Sequence, residues 1–299
     1  MKPFPSYAML AASLGAGAMA AYAFLVEPRW VEVTRTRIHL RDLPAPLEGL
    51  RIALLTDLHA GEGTPMSVIR RACRFAVRER PDVIAITGDL AADDAPDFQA
   101  VLEALDCLEA PLGVYAVPGN HDHVIGIEQW QREMGEHRRI QGLTNQAVVH
   151  EIGEARLCIA GVDDLSCGEP SLNSLPAPDQ RDITVLLAHD PDQAERAKRS
   201  YDSVDLVLSG HTHGGQIRLP LIGALRNPSA YGHLYEEGLR RRPWTQVYIS
   251  RGIGTIHLPA RFLCRPEVAI LELTAAPRPG RNRARISRRN GAPAGSQRE

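Results

Sequence analysis

Lysine is nearly missing from this chain: only Lys2 and Lys198 stand among its 34 basic residues, so arginine carries almost all the positive charge. A GC-rich coding sequence explains that bias without phosphate recognition, and no nucleic-acid partner is expected from it. Cysteine is equally uninformative. Cys73, Cys107, Cys158, Cys167 and Cys264 are an odd number with no close pair and no Cys-x-x-Cys, which excludes a disulfide framework or a zinc knuckle and fits buried or inert thiols. No internal repeat is visible. What remains is an ordinary globular composition, 44% hydrophobic and 23% charged over 299 residues, enough for one large domain or two small ones.

Charge is also absent from residue 3 to residue 26, and residues 8–26 are almost wholly apolar. At about 1.5 Å per residue such a helix approaches the ~30 Å hydrocarbon thickness of a bilayer. A transmembrane anchor is the leading reading, with a cleaved signal peptide or a buried helix as alternatives, since Ala18, Ala20, Ala21 and Ala23 offer small residues for cleavage. Lys2 precedes the segment, whereas Arg29, Arg35, Arg37 and Arg41 follow it. By the positive-inside rule the body then faces the cytoplasm at the inner membrane, an export route being the alternative. At the other end, residues 276–299 hold seven arginines against one acid and few apolar side chains, which predicts a disordered basic tail.

Between these ends, apolar runs of strand length alternate with helical spacing. Strands are predicted at 51–56, 82–87, 113–117, 183–188, 204–208, 248–250 and 268–273, and a hairpin at 146–151 with 155–161. Helices are predicted after Thr64-Pro65, read as an N-cap followed by proline in the first turn, and over 96–108 and 192–199. Continuous apolar strands imply a sheet covered on both faces, hence an α/β layered fold.

Polar residues with ligand chemistry follow the carboxyl ends of five of these strands. They are Asp57 and His59, then Asp89, then Asn120 and His121, then His189, then His211 and His213. Open α/β sheets place their sites at such ends. Asp57 and Asp89, the imidazoles of His59, His189, His211 and His213, and the Asn120 amide oxygen form a set without sulfur that suits Mn, Fe or Zn and is too large for one tetrahedral ion. Two ions sharing a carboxylate would account for them, and two divalent ions about 3.5–4 Å apart support in-line displacement at phosphorus.

In order, Asp57-Leu58-His59, Gly88-Asp89, Gly119-Asn120-His121-Asp122, His189 and Gly210-His211-Thr212-His213 resemble the signature blocks of the calcineurin-like metallophosphoesterases. The resemblance implies a four-layer α/β/β/α sandwich over residues 50–274, preceded by a flank at 1–7, the anchor at 8–26 and a linker with an incoming strand at 27–49, and followed by the tail at 275–299. It implies one ion, manganese being favoured, on Asp57, His59, Asp89 and His213. A second would sit on Asp89, Asn120, His189 and His211, with Asp89 as bridge. His121 would act on the phosphate or the leaving oxygen and Asp122 would orient its ring, the nucleophile being a metal-activated water. Many relatives carry an acid three residues after the bridging aspartate, where this chain has Ala92 followed by Asp93 and Asp94.

His189-Asp190-Pro191-Asp192, Gly214-Gly215-Gln216, Leu219-Pro220-Leu221 and Ser250-Arg251-Gly252-Ile253-Gly254 further resemble a branch with an N-terminal membrane segment, in which asparagine is frequent at the Asp190 position. Some members hydrolyse the pyrophosphate of UDP-2,3-diacylglucosamine in lipid A synthesis; others are phosphodiesterases or phosphatases. The expected partners are therefore a phosphorylated small-molecule or lipid-linked substrate and a membrane. A non-catalytic interaction module is the third alternative, disfavoured by the full ligand set. His39, His137, His150 and His233 read as surface residues, and His123 and His257 as residues that could line the pocket. Asp163 and Asp164 have either a pocket or a capping role, and the apolar run 219–222 meets either lipid or the protein interior.

Overall fold

The computed structural model describes residues 7–61, 63–92, 98–173, 175–177, 181–196 and 204–277. Of the tail predicted at 275–299, residues 278–299 lie outside them, as do Asp93, Asp94 and the end of the helix predicted at 192–199; Ala275 is the last residue of a strand.

Two six-stranded sheets form the body. In the first, β1 (Glu32–Leu40) pairs parallel to β14 (Glu267–Ala275), which runs antiparallel to β2 (Arg51–Leu55); β3 (Val83–Thr87), β4 (Val114–Val117) and β5 (Ile140–Gly142) then continue parallel to β2. In the second, β6 (Gln146–Ile152) and β7 (Ala155–Gly161) form an antiparallel hairpin. Parallel to β7 come β8 (Ile183–Leu187), β9 (Leu206–Ser209) and β13 (Gln246–Ile249), with β12 (Gly238–Arg241) antiparallel at the edge.

The alternation of side chains along each strand divides the core. From β2, Ala53 and Leu55 face the helices α2 (Met66–Arg78), α3 (Phe98–Leu105) and α4 (Asn120–Glu136), together with Ile84, Ile86 and Val101. Ile52 and Leu54 face the other way, into a layer between the two sheets shared with Leu157, Val185, Leu208 and Leu271. Outside the second sheet, Leu186, Val207 and Val247 are covered by Ala194 of the short α5 (Gln193–Arg196) and by Tyr235. Among the described residues, this fourth layer is thus a thin cover of short turns.

Helix α2 shows why the chain divides this way: Val68, Ile69, Ala72, Cys73 and Ala76 are buried on one stripe while Arg70, Arg71, Arg74 and Arg78 are exposed on the other. Its start differs from the predicted cap. Pro65 is extended and supplies no side-chain bond, and the Thr64 hydroxyl accepts the Thr255 amide instead, at 3.0 Å, tying two loops together.

At the amino end, α1 (Tyr7–Ala21) continues as a π turn over Tyr22–Val26 and a 3₁₀ turn over Glu27–Arg29. Met9–Arg29 is long and apolar enough to cross a membrane, and none of its most apolar window packs into the body. A helix buried in the protein core, one alternative from sequence, is therefore ruled out.

Candidate metal centre

The parallel strands β2, β3 and β4 of one sheet and β8 and β9 of the other end at one edge. The loops leaving them carry Asp57, His59, Asp89, Asn120, His121, His189, His211 and His213. Five of these residues occupy the left-handed region of backbone space: Asp57 (φ 50°), His59 (41°), Asp89 (54°), His211 (67°) and His213 (52°). Each such residue costs on the order of 1–3 kcal/mol, and strain of this kind is held where it serves a site. Two glycines permit the crowding. Gly88 has φ 88°, and a Cβ there would stand 2.8 Å from His189 Nδ1. Gly119 has an unremarkable φ, but a Cβ would collide with the Asp89 carboxylate.

The side chains form two clusters that meet at Asp89. In the first, His59 Nε2 and His213 Nε2 are 3.1 Å apart, Asp57 Oδ1 is 3.4 Å from His213 Nε2, and Asp89 Oδ2 is 3.4 Å from His59 Nε2. In the second, His189 Nε2 is 3.2 Å from Asp89 Oδ2, 3.1 Å from Asn120 Oδ1 and 3.1 Å from His211 Nδ1. One carboxylate oxygen, Asp89 Oδ2, is therefore a corner of both. Several lone-pair donors converge in each cluster, an arrangement that a divalent cation satisfies and neutral packing does not. The residues fit a pair of metal ions. His121 also lies within ligand reach of His59 and Asp89, its ring edge-on to His59 at 4.9 Å between centroids.

The ligand atoms are held from behind. The Asp57 carboxylate accepts the Thr56 hydroxyl at 2.9 Å and the His211 amide at 3.0 Å, and Asp89 Oδ1 accepts the His121 amide at 2.9 Å. His189 Nδ1 lies 2.7 Å from the Thr87 carbonyl, which fixes its proton there and leaves Nε2 free to ligate. The two oxygens of Asp122 accept the backbone amides of Gly119 (2.8 Å), Asp89 (2.8 Å) and Leu90 (3.0 Å). It caps α4 and clamps the Asp89 loop onto the Asn120 loop.

Electrostatics favour ligation by three of the imidazoles. Burial lowers His59 and His211 to about 4, and takes His213 well below its ordinary value, so these imidazoles are neutral donors. Burial raises Asp57 to about 6, with Asp89 adding to the rise and His189 opposing it. At Asp89 burial works upward too, but His189, His59 and His121 outweigh it and hold the carboxyl below the usual range. His189 rises in turn because Asp89 overcomes its burial.

The clusters open into a cavity of about 480 Å³ whose opposite wall is apolar, with Ile217, Leu225, Pro228, Ile256 and Leu258. His257 lines it, as sequence allowed. His123 instead holds Asp163 at 2.7 Å, while Asp164 caps the turn through Ser166 and Cys167. A larger depression of about 610 Å³ beside α3 and the end of α4 shares no residue with the clusters. Two residues complete the surroundings, Arg261 without any signal in the sequence and Gln216 from the Gly214-Gly215-Gln216 motif. Arg261, fully buried, donates to the carbonyls of Arg251, Gly252 and Gly254, so its cation stands behind Asp57. Gln216 joins the two loops of the apolar wall by bonding Ile256 and Leu258.

Two clusters of oxygen and nitrogen side chains sharing a carboxylate, at the carboxyl edge of a double-sheet fold, suit a binuclear metal site of the kind metallohydrolases use. A model of the calcineurin-like phosphoesterases matches residues 50–215. The chain is 34% identical to the uncharacterized metallophosphoesterase YkuE of Bacillus subtilis, over 89% of this chain and 93% of that one. It is also 34% identical to phosphodiesterase YaeI of Escherichia coli, over 89% and 95%. A transmembrane protein with a metallophosphoesterase domain from Danio rerio is 31% identical over 86% of this chain, which spans 61% of that protein. The chain belongs to the calcineurin-like phosphoesterase family and is a metal-dependent phosphoesterase.

Proposed function

We propose that the protein is a membrane-anchored phosphodiesterase or pyrophosphatase whose site holds one divalent ion on Asp57, His59, Asp89 and His213 and another on Asp89, Asn120, His189 and His211. The observation that carries the assignment is the shared position of Asp89 Oδ2, within 3.4 Å of His59 Nε2 and 3.2 Å of His189 Nε2. Such ions, with manganese favoured and iron or zinc as alternatives, would activate water and neutralise charge on a phosphoryl group. The chain's own residues do the rest. His121, half-buried at the mouth, would stabilise the phosphoryl oxygens or protonate the leaving oxygen, and Asp122 keeps its loop in register. The apolar wall excludes water from the leaving-group side.

The apolar wall and the spanning-length helix together support a lipid-linked substrate, a nucleotide lipid such as UDP-2,3-diacylglucosamine being the first to test. The arginines after the helix support a cytoplasmic catalytic body, where nucleotide-activated lipids are made. The second reading is a broad-specificity phosphodiesterase of the envelope, which the similarity to phosphodiesterase YaeI supports. Release of UMP from UDP-2,3-diacylglucosamine, compared with hydrolysis of bis(p-nitrophenyl) phosphate under Mn²⁺, separates them. A strong preference for the lipid nucleotide is expected; equal or lower rates on it would leave the broad enzyme.

A further inference from the structure

The apolar run at 219–222 does not turn inward. It forms the tip of a small hairpin, β10 (Arg218–Leu219) and β11 (Gly223–Ala224), on which Leu221 is fully exposed and Ile222 and Leu225 are more than half exposed. Leu258 and Leu263, on the loop preceding β14, are exposed beside it. Five large aliphatic side chains in water at one end of a protein are a feature to be explained.

Their location relative to the N-terminal helix is fixed by hydrogen bonds. Ala23, near the end of that helix, gives its carbonyl to the Arg261 amide at 2.9 Å. Glu27, only 1% exposed, accepts the amides of Leu263 (3.0 Å) and Cys264 (2.5 Å), and Arg265 stacks on the Trp30 ring at 3.9 Å. The same loop is bonded to the hairpin: Arg218 donates its amide to Phe262, and Phe262 donates its amide to Gln216. Leu263 and the hairpin residues Leu221 and Ile222 line one groove. Base of helix, loop and hairpin are thus a single bonded unit. A buried carboxylate holding two amides is costly to dislodge, so the helix cannot swing away from this face freely.

We propose that this rim is a second membrane contact: Leu221, Ile222, Leu225, Leu258 and Leu263 enter the bilayer interface beside the helix, and the metal cavity opens at headgroup depth. The proposal rests on the reading of the helix as an anchor. Its occupant is a phospholipid bilayer, because the helix that must leave the body for lipid is bonded to the rim at its base. The exposed Arg29 and Arg226, and the half-exposed Trp30 with the partly buried Arg265 stacked on it, suit the headgroup layer. Leu225 and Leu258 belong to both rim and cavity wall, so the acyl chains of a lipid would lie along them while its phosphate faces the His/Asp clusters.

The test uses the full chain reconstituted into phosphatidylcholine vesicles with or without bromine on the acyl chains. Ile222→Trp is compared with Val149→Trp, on β6 of the second sheet, and the wild-type emission is subtracted from both. Bromolipid should quench the Ile222→Trp signal roughly twofold and leave Val149→Trp unchanged. Equal quenching of the two, or none, overturns the rim. Flotation of the wild type with the vesicles reports on the anchor independently: a chain that floats while Ile222→Trp is unquenched keeps the anchor and loses the rim, and a chain that does not float loses both. Hydrolysis of bis(p-nitrophenyl) phosphate by Ile222→Trp, expected at the wild-type rate, shows that the variant is folded; absence of that activity from the wild type would count against the proposed reaction and not against the rim.

Discussion

At the scale of single residues the site depends on a few atoms with several duties. Asp89 Oδ2 is a corner of both ligand clusters and Asp89 Oδ1 orders the His121 loop, so Asp89→Asn should lower hydrolysis of bis(p-nitrophenyl) phosphate by about three orders of magnitude and lower metal content as well. His121→Ala should lose about 10²–10⁴-fold in kcat while keeping both metals, as expected of a group acting on substrate. Metal analysis of the purified variants separates these outcomes. Loss of metal from His121→Ala would make it a ligand.

Asp190 supplies a pH prediction. Burial raises its carboxyl to about 6, so its protonated form is favoured in the folded state. Its contribution to stability is present below the ordinary aspartate value near 4 and is lost as pH rises through about 6. Asp190→Asn keeps the acceptor for the Asp192 amide and removes the ionisation. Its melting temperature should exceed that of the wild type by a few degrees at pH 8, for a gain on the order of 1 kcal/mol, and match it at pH 4.

At the scale of elements, Gly119 connects β4 to α4 through a backbone that any residue can adopt, yet its neighbour is the Asp89 carboxylate. Gly119→Ala should therefore retain the far-ultraviolet circular dichroism of the wild type and lose metal affinity by tenfold or more, measured by titration of the chelated protein. The elements that were legible in the sequence are those whose burial is one-sided or complete. β2, β3, β8 and the stripe of α2 could be read from their apolar runs. α4 could not: it opens on ligand residues, breaks at Gly126 (φ 136°) and buries only Asp122, Trp130 and Met134. The edge strands β5 and β12 are short and carry little apolar signal. The site itself was legible because its residues stand at strand ends in a fixed order. Thr56 and Arg261 were not: the Thr56 hydroxyl reads as an ordinary strand-end residue until the turn after it folds the Asp57 carboxylate back, and the Arg261 guanidinium reaches Gly252 only when two loops meet.

For the whole molecule, two sheets converge so that one edge gathers ligands from both, while the helix that leaves the body is bonded at its base to the apolar side of the same cavity. Family membership gives the reaction class, and the proposed membrane location rests on the bonding of the helix base to the cavity rim. Hydrolysis of a phosphoester is proposed to depend on a pair of metal ions sharing Asp89. Elemental analysis of the purified full chain, followed by chelation and return of Mn²⁺ with bis(p-nitrophenyl) phosphate as substrate, tests it most directly. About two ions per chain are expected, with loss of at least 10³-fold activity on chelation and recovery on return of the metal. A chelated, metal-free protein that hydrolyses the ester at its original rate would contradict that dependence.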